Sequence, residues 1–224
     1  MNENIVNRKN FLSQITEILK NNSKNIIILL SLCFVIFLSF QIYSFYISNK
    51  IQNNSISFFS AQNADDKRVI TDTITNLSED NTFYGVLAKL EIIDRNLKQS
   101  NIQDSVLMYL EIINKNNLDT VYKSAIASKA SYQLININLD DLSSDYLSII
   151  NDFISYIDDE TESYKGIKLE LEYLTKILEA EKNSIDYSSF NEVNDIYANI
   201  MNSDSVSSAI KERVNKIHEF YSNK

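Results

Sequence analysis

The chain has 224 residues, with 21 Lys/Arg against 30 Asp/Glu, two glycines, no proline and one cysteine. So little glycine and proline removes the usual turn chemistry of hairpins and strand-rich folds, and an all-α protein is expected. Residues 51–224 carry 16 Lys/Arg against 28 Asp/Glu, a net charge of −12, which argues against a phosphate-backbone partner; the lone Cys33 excludes an internal disulfide framework and a thiolate cluster.

Residues 1–25 form a short tail bearing Arg8, Lys9, Lys20 and Lys24. From Ile26 to Ile47 no side chain is charged, and Gln41 with a few Ser and Tyr are the only polar groups. At about 1.5 Å per residue this run spans roughly 30 Å, the hydrocarbon thickness of a bilayer. It is longer than a signal-peptide core and no small-x-small cleavage site follows, so residues 26–47 are expected to remain as a transmembrane helix. Four basic residues precede it and only Lys50 follows closely, which predicts a cytoplasmic N-terminus and an exported C-terminal domain. Tyr43 and Tyr46 suit the far interface, and without a G-x-x-x-G the helix reads as a plain lipid-facing anchor.

Residues 48–80 are expected to form a helical stalk or connector, with Val69, Ile70, Ile74 and Leu77 on one stripe. Residues 81–224 then repeat one grammar. Phe83, Val86, Leu87, Leu90, Ile93 and Leu97 are spaced by threes and fours, as are Ile102, Val106, Leu110 and Ile113. The next two stripes are Tyr122, Ile126, Ala130, Leu134 and Ile137, then Tyr146, Ile149, Ile150, Phe153, Ile154 and Ile157. A third pair follows with Tyr164, Ile167, Leu171, Leu174 and Leu178, then Phe190, Val193, Tyr197 and Ile200. Val206, Ile210, Val214, Ile217 and Tyr221 close the chain.

Ser100 with Gln103 and Ser189 with Glu192 have capping-box spacing, and Asp119 and Asp141 stand as N-caps. Asn101 and Asn116-Asn117 are expected to take the left-handed place usually held by glycine. Pairs beginning near Phe83, Val121 and Tyr164 lie about forty residues apart, within the range of helical-hairpin repeats. Gly85, Ala88, Ala125, Ala127, Ala130, Gly166 and Ala180 fall where paired helices approach. The pattern resembles a solenoid of about three degenerate tetratricopeptide-like helix pairs with a C-terminal capping helix; a plain helical bundle is the competing architecture.

No phosphate-binding or nucleophile-elbow motif is present, and His218 stands without a second histidine or a cysteine to share a metal. It reads as solvated or cap-covering. The carboxylates Asp140-Asp141 and Asp158-Asp159-Glu160 read as caps and solvated turns. Among the tyrosines, Tyr109, Tyr122, Tyr132, Tyr146, Tyr156, Tyr164, Tyr173, Tyr187 and Tyr197 are expected chiefly in helix packing, with a minority lining a partner groove. No catalytic, cofactor-binding or metal-ligating residue is assigned, and the protein is not expected to be an enzyme.

The stretch Asn81-Thr82-Phe83-Tyr84-Gly85-Val86-Leu87-Ala88-Lys89-Leu90-Glu91 is similar to the Asn-Thr-Tyr-Gly-Ala-Leu-Ala-x-Leu-Glu segment of the ancillary SecYEG translocon subunit family (YfgM-like), with one extra aromatic before the glycine. Ser60-Ala61-Gln62-Asn63-Ala64 resembles the segment that family places after its anchor. The resemblance implies an inner-membrane protein with a periplasmic repeat domain. It further implies a scaffold or chaperone-like accessory role beside the Sec translocon, with translocon subunits and a membrane-bound periplasmic chaperone as protein partners. The alternative is a membrane-tethered helical-repeat regulator of envelope or cell-division processes.

Overall fold

A computed structural model describes residues 22–115, 118–143, 145–158, 162–185, 187 and 190–223. Among them the secondary structure is entirely helical: α1 (Ser23–Gln62), α2 (Lys67–Ser78), α3 (Phe83–Lys98), α4 (Ile102–Ile113), α5 (Thr120–Asp140), α6 (Leu147–Ser155), α7 (Glu162–Asn183), α8 (Asn191–Asn202) and α9 (Ser208–Ser222). Arg8, Lys9, Lys20, Asn116-Asn117, Asp159-Glu160 and Ser189, which carry expectations above, lie outside the described residues. The chain divides into two compact units between Ala88 and Lys89, inside α3.

In the first unit, α1 runs 40 residues without a break, and the apolar window near its start has no buried residue. It is the one helix among the described residues long and apolar enough to cross a membrane. Lacking Gly and Pro, it continues well past Ile47. Beyond Gln62 the chain turns, and Asp66 starts α2 by accepting a 2.8 Å bond from the Arg68 amide. α2 packs against α1, and Phe58, Ala61, Ile74 and Leu77 are buried. The residues expected to form a stalk are thus the end of α1 together with a second helix folded against it.

The bend before α3 is held by polar contacts to α1. Lys50 Nζ lies 2.7 Å from Asp80, and Asn54 Nδ2 donates to Asp80 at 2.7 Å and to Thr82 Oγ1 at 2.9 Å. Burial disfavours the Asp80 carboxylate, but the bonds from Lys50 and Asn54 outweigh it and hold its pKa below the ordinary value. Thr82 accepts a 3.4 Å bond from the Gly85 amide in the first turn of α3. A Cβ on Gly85 would run into the backbone carbonyl of Asp80. Glycine is therefore demanded here by the approach of the bend to the helix, and Phe58, Phe59 and Tyr84 pack edge to face or tilted beside it.

The second unit is a succession of neighbours: α5 packs against α4, α6 and α7, and α7 packs against α6, α8 and α9. The edge-to-face contact of Tyr109 and Phe153, 5.9 Å between centroids, joins α4 to α6. The anticipated core stripes are buried at Ile93, Val106, Ile126, Leu134, Ile150, Phe153, Leu171, Leu178, Val193, Ile200 and Val214. Ala127 and Ala130 have no exposed surface, as close helix approach requires. Gly166 faces Ile210 and Val206, so its close approach is to the α9 segment rather than to α8. Small polar residues enter this core by bonding their own helix: Ser128, Ser131 and Thr175 donate to the carbonyls of Ser124, Ala127 and Leu171, four residues back.

Helix ends depart from the capping chemistry read in the sequence. Asp119 does cap α5, accepting a 2.8 Å bond from the Val121 amide. Ser100 does not begin α4. It ends α3 in the left-handed region (φ 61°), with Ser100 N bonded to Leu97 O and Asn101 N to Asn96 O, while Asn101 has φ −90°. Ser184 repeats the arrangement after α7, with φ 53° and the bond from Ile185 N to Ala180 O. These are Schellman ends in which serine occupies glycine's place. Asp141 likewise follows α5 rather than capping α6, and its carboxylate accepts from the Ser143 amide and hydroxyl in an Asx turn.

The two left-handed serines and Gly85 give opposite expectations. Ser100→Gly and Ser184→Gly relieve the Cβ penalty and should each stabilise the protein by about 0.5 kcal/mol in urea titrations, whereas Gly85→Ala should destabilise by roughly 2–3 kcal/mol. A neutral Gly85→Ala would mean that the bend at Asp80 moves aside freely.

Candidate functional site

Alternate helices of the second unit are joined by a polar seam. On α3, Asp94 accepts from Lys129 Nζ at 2.8 Å and from Gln133 Nε2 at 3.0 Å, both on α5. Gln133 in turn accepts a short bond from the hydroxyl of Tyr109 on α4. Burial raises the Tyr109 pKa, with the Asp94 charge adding to the effect, so the phenol stays protonated and serves as a donor. Beside these residues an open groove of about 420 Å³ is lined by Leu97, Lys98, Lys129, Gln133, Asn136 and Ile137 as well as Asp94. It has an apolar floor, two amides and two ammonium groups.

The seam continues from α5 through α7 to α9. The hydroxyl of Tyr132 donates to Glu170 Oε2 at 2.8 Å, and Arg213 donates from Nε and Nη2 to the two carboxylate oxygens at 2.9 and 2.7 Å. The Glu170 side chain is 3% exposed and that of Arg213 is 55% exposed. The fork geometry fits a planar carboxylate, and one guanidinium edge remains toward solvent. Burial and the adjacent carboxylate push the Tyr132 pKa up, and the hydrogen bond to Glu170 holds the Arg213 pKa above its usual value.

A third cluster locks the end of the chain. The hydroxyls of Tyr173 and Tyr187 lie 2.5 Å apart, Tyr187 is 2.7 Å from His218 Nδ1, and the Tyr197 ring stacks on the imidazole with centroids 3.7 Å apart. Tyr197 donates to Asn215, which donates to Glu219. His218, read from the sequence as solvated or cap-covering, is half-buried among tyrosines on the closing helix. It falls on the same helical stripe as Val214 and Tyr221, four residues after one and three before the other, and that stripe faces inward. Burial lowers the His218 pKa, against the opposing pull of Glu219.

The tyrosines divide as their helix positions dictate. Tyr109, Tyr173 and Tyr187 are buried, Tyr122 and Tyr156 are exposed, and Tyr132, Tyr146, Tyr164 and Tyr197 lie between. Among the described residues no three His, Cys, Asp or Glu side chains gather to hold a metal ion.

Sequence reasoning missed Glu170, Asp94 and Arg213, although a signal was there. Glu170 stands three residues after Ile167 and four before Leu174, on the core stripe itself, and Arg213 adjoins the Val214 position facing it. A charge at core spacing demands a partner from another helix. No family model, curated protein or solved structure matches the chain.

Two outcomes are expected from these contacts. Arg213→Ala leaves Glu170 buried without its cation and should cost roughly 2–3 kcal/mol in denaturant unfolding, while Glu170→Leu combined with Arg213→Met should recover most of that loss. His218, with a folded pKa below its unfolded value near 6.5, contributes stability that is complete above about pH 6.5 and declines as the pH falls toward the folded pKa. Melting temperature should fall between pH 7.5 and 5.5, and His218→Gln should flatten that part of the profile.

Proposed function

We propose that this protein is a single-pass membrane scaffold. Its N-terminus lies in the cytoplasm, and its acidic helical domain acts by protein–protein interaction on the other side of the membrane, in the periplasm of a bacterial cell. The observation that carries the reading is the uninterrupted exposed apolar surface of α1 from Ile27 to Tyr46. Water does not favour so large a contiguous apolar surface, and lipid does. Lys24 at the near end, with the basic residues of the tail sequence, supports the orientation.

For the domain, the reading is a stack of three degenerate tetratricopeptide-like pairs, α3 with α4, α5 with α6 and α7 with α8, closed by α9. Packing of α5 on α6 and of α7 on α8, and the seam that links α3 to α5, α5 to α7 and α7 to α9, support it. So does α9, which buries Ile210 and Val214 and turns Glu212, Lys216 and Glu219 to solvent, as a closing helix must. The groove beside Lys98, Gln133 and Asn136 offers a partner an apolar floor and amide groups that pair with peptide backbone. Sec translocon subunits and a membrane-bound periplasmic chaperone are the partners this reading names, on the resemblance at Asn81–Glu91.

Alkaline carbonate extraction should leave the protein in the membrane pellet, and external protease on spheroplasts should digest the domain while sparing an N-terminal fragment. Photo-crosslinkers at Lys98 and Asn136 should then capture translocon or chaperone components. Release by carbonate refutes the anchor, and adducts confined to cytoplasmic proteins refute the orientation. Adducts with other exported proteins alone refute the Sec assignment.

A further inference from the structure

We infer that α1 pairs with α1 of a second copy of this chain, in parallel, through a seam centred on Gln41; the inference rests on the anchor reading above. Gln41 is the one side-chain amide between Ile26 and Ile47, is exposed on α1, and has no hydrogen-bond partner among the described residues. It lies six residues inside the run's far end, about 9 Å from that boundary, too deep for a Gln side chain to reach the interface. An amide left unpaired in hydrocarbon is strongly disfavoured. Ser39, by contrast, satisfies itself on the Val35 carbonyl at 2.9 Å. Gln41 therefore needs a partner from outside its own helix.

The positions around Gln41 name that partner. Phe34, Gln41 and Ser48 are spaced by sevens, and so are Leu38, Phe45, Gln52 and Phe59, four residues out of phase with the first set. These positions lie along the face of α1 that carries Gln41, so a helix docked on that face meets them together. Phe34, Gln41, Phe45, Gln52 and Phe59 are all exposed on α1, so the seam is open from inside the apolar run to the membrane-distal end. Its distal part, at Ser48, Gln52 and Phe59, lies beyond the apolar run, where lipid tails do not cover it.

A second copy satisfies these positions at once. Two parallel copies hold Gln41 at the same depth, and each amide donates through Nε2 to the other's Oε1, using one donor and one acceptor on both sides. The same symmetry sets Gln52 against Gln52 and Phe59 against Phe59. An unrelated helix would need its own amide at that depth and its own polar position at Gln52. Cys33, eight residues before Gln41, sits about 80° around α1 from it.

The test uses the full chain in native membranes in a Cys33→Ser background. Ser48→Cys and Gln52→Cys lie on the seam; Asn49→Cys and Asn53→Cys lie off it. Under a mild oxidant the first two should give homodimers at least fivefold more abundant than the second two. In liposomes, energy transfer between labelled full-length chains should show association about three- to thirtyfold weaker for Gln41→Leu, with Gln41→Asn partly retaining it. Crosslinking that is equal around the helix or absent, adducts with another membrane protein in place of homodimers, or association unchanged in Gln41→Leu each overturns the pairing. Carbonate extraction on the same membranes separates that failure from failure of the anchor, since a pelleted but monomeric protein keeps the anchor and loses the pair.

Discussion

The carboxylate of Glu170 is the constraint around which the second unit is arranged. A charge at 2% exposure survives only where other groups replace its water, and three helices contribute to that replacement. Glu170 belongs to α7, its hydroxyl donor Tyr132 to α5 and its forked cation Arg213 to α9. None of the three can turn about its axis or slide along it without stranding the others. Hydrophobic stripes alone leave such freedom, because an apolar surface accepts many nearly equivalent packings. The ion pair contributes little net stability for its kind, and its value lies in selecting one register among those packings.

The same logic runs through the other polar clusters. Asp94 fixes α3 to α5, and the tyrosine–histidine group fixes α9 to α7 and α8. In the first unit, Asp80 ties the bend before α3 back to α1 through Lys50 and Asn54. Each joint pairs residues distant in sequence. With two glycines and no prolines, the chain has few backbone devices for setting angles between helices, and side-chain hydrogen bonds take over that work.

Helix existence was legible because three-and-four spacing of Ile, Leu, Val, Tyr and Phe is local, and every helical stripe read beyond Lys50 coincides with an observed helix. The apolar length of α1 was equally plain. Helix ends were less so: Ser100 and Ser184 resemble starting residues by chemistry, and only the backbone hydrogen bonds around them reveal left-handed ends. The seam was the hardest part to read. Asp94, Glu170 and Arg213 look like surface charges until their positions are compared with the core stripes, and their partners lie 35 to 43 residues away. The setting of His218 was hidden for the same reason, since it comes from Tyr187 and Tyr197 and not from Ile217 and Glu219.

The unbroken course of α1 has a mechanical consequence. No glycine, proline or loop separates the apolar run from Phe58 and Ala61, where α2 packs against it. An α-helix resists twisting far better than a flexible linker of the same length, so with the apolar run in a bilayer the azimuth of the span sets the azimuth of the hairpin above it. A tilt forced by a thinner or thicker membrane passes upward by the same route. A helix so placed works as a torsion bar, and the orientation of its apolar run governs which way the hairpin faces.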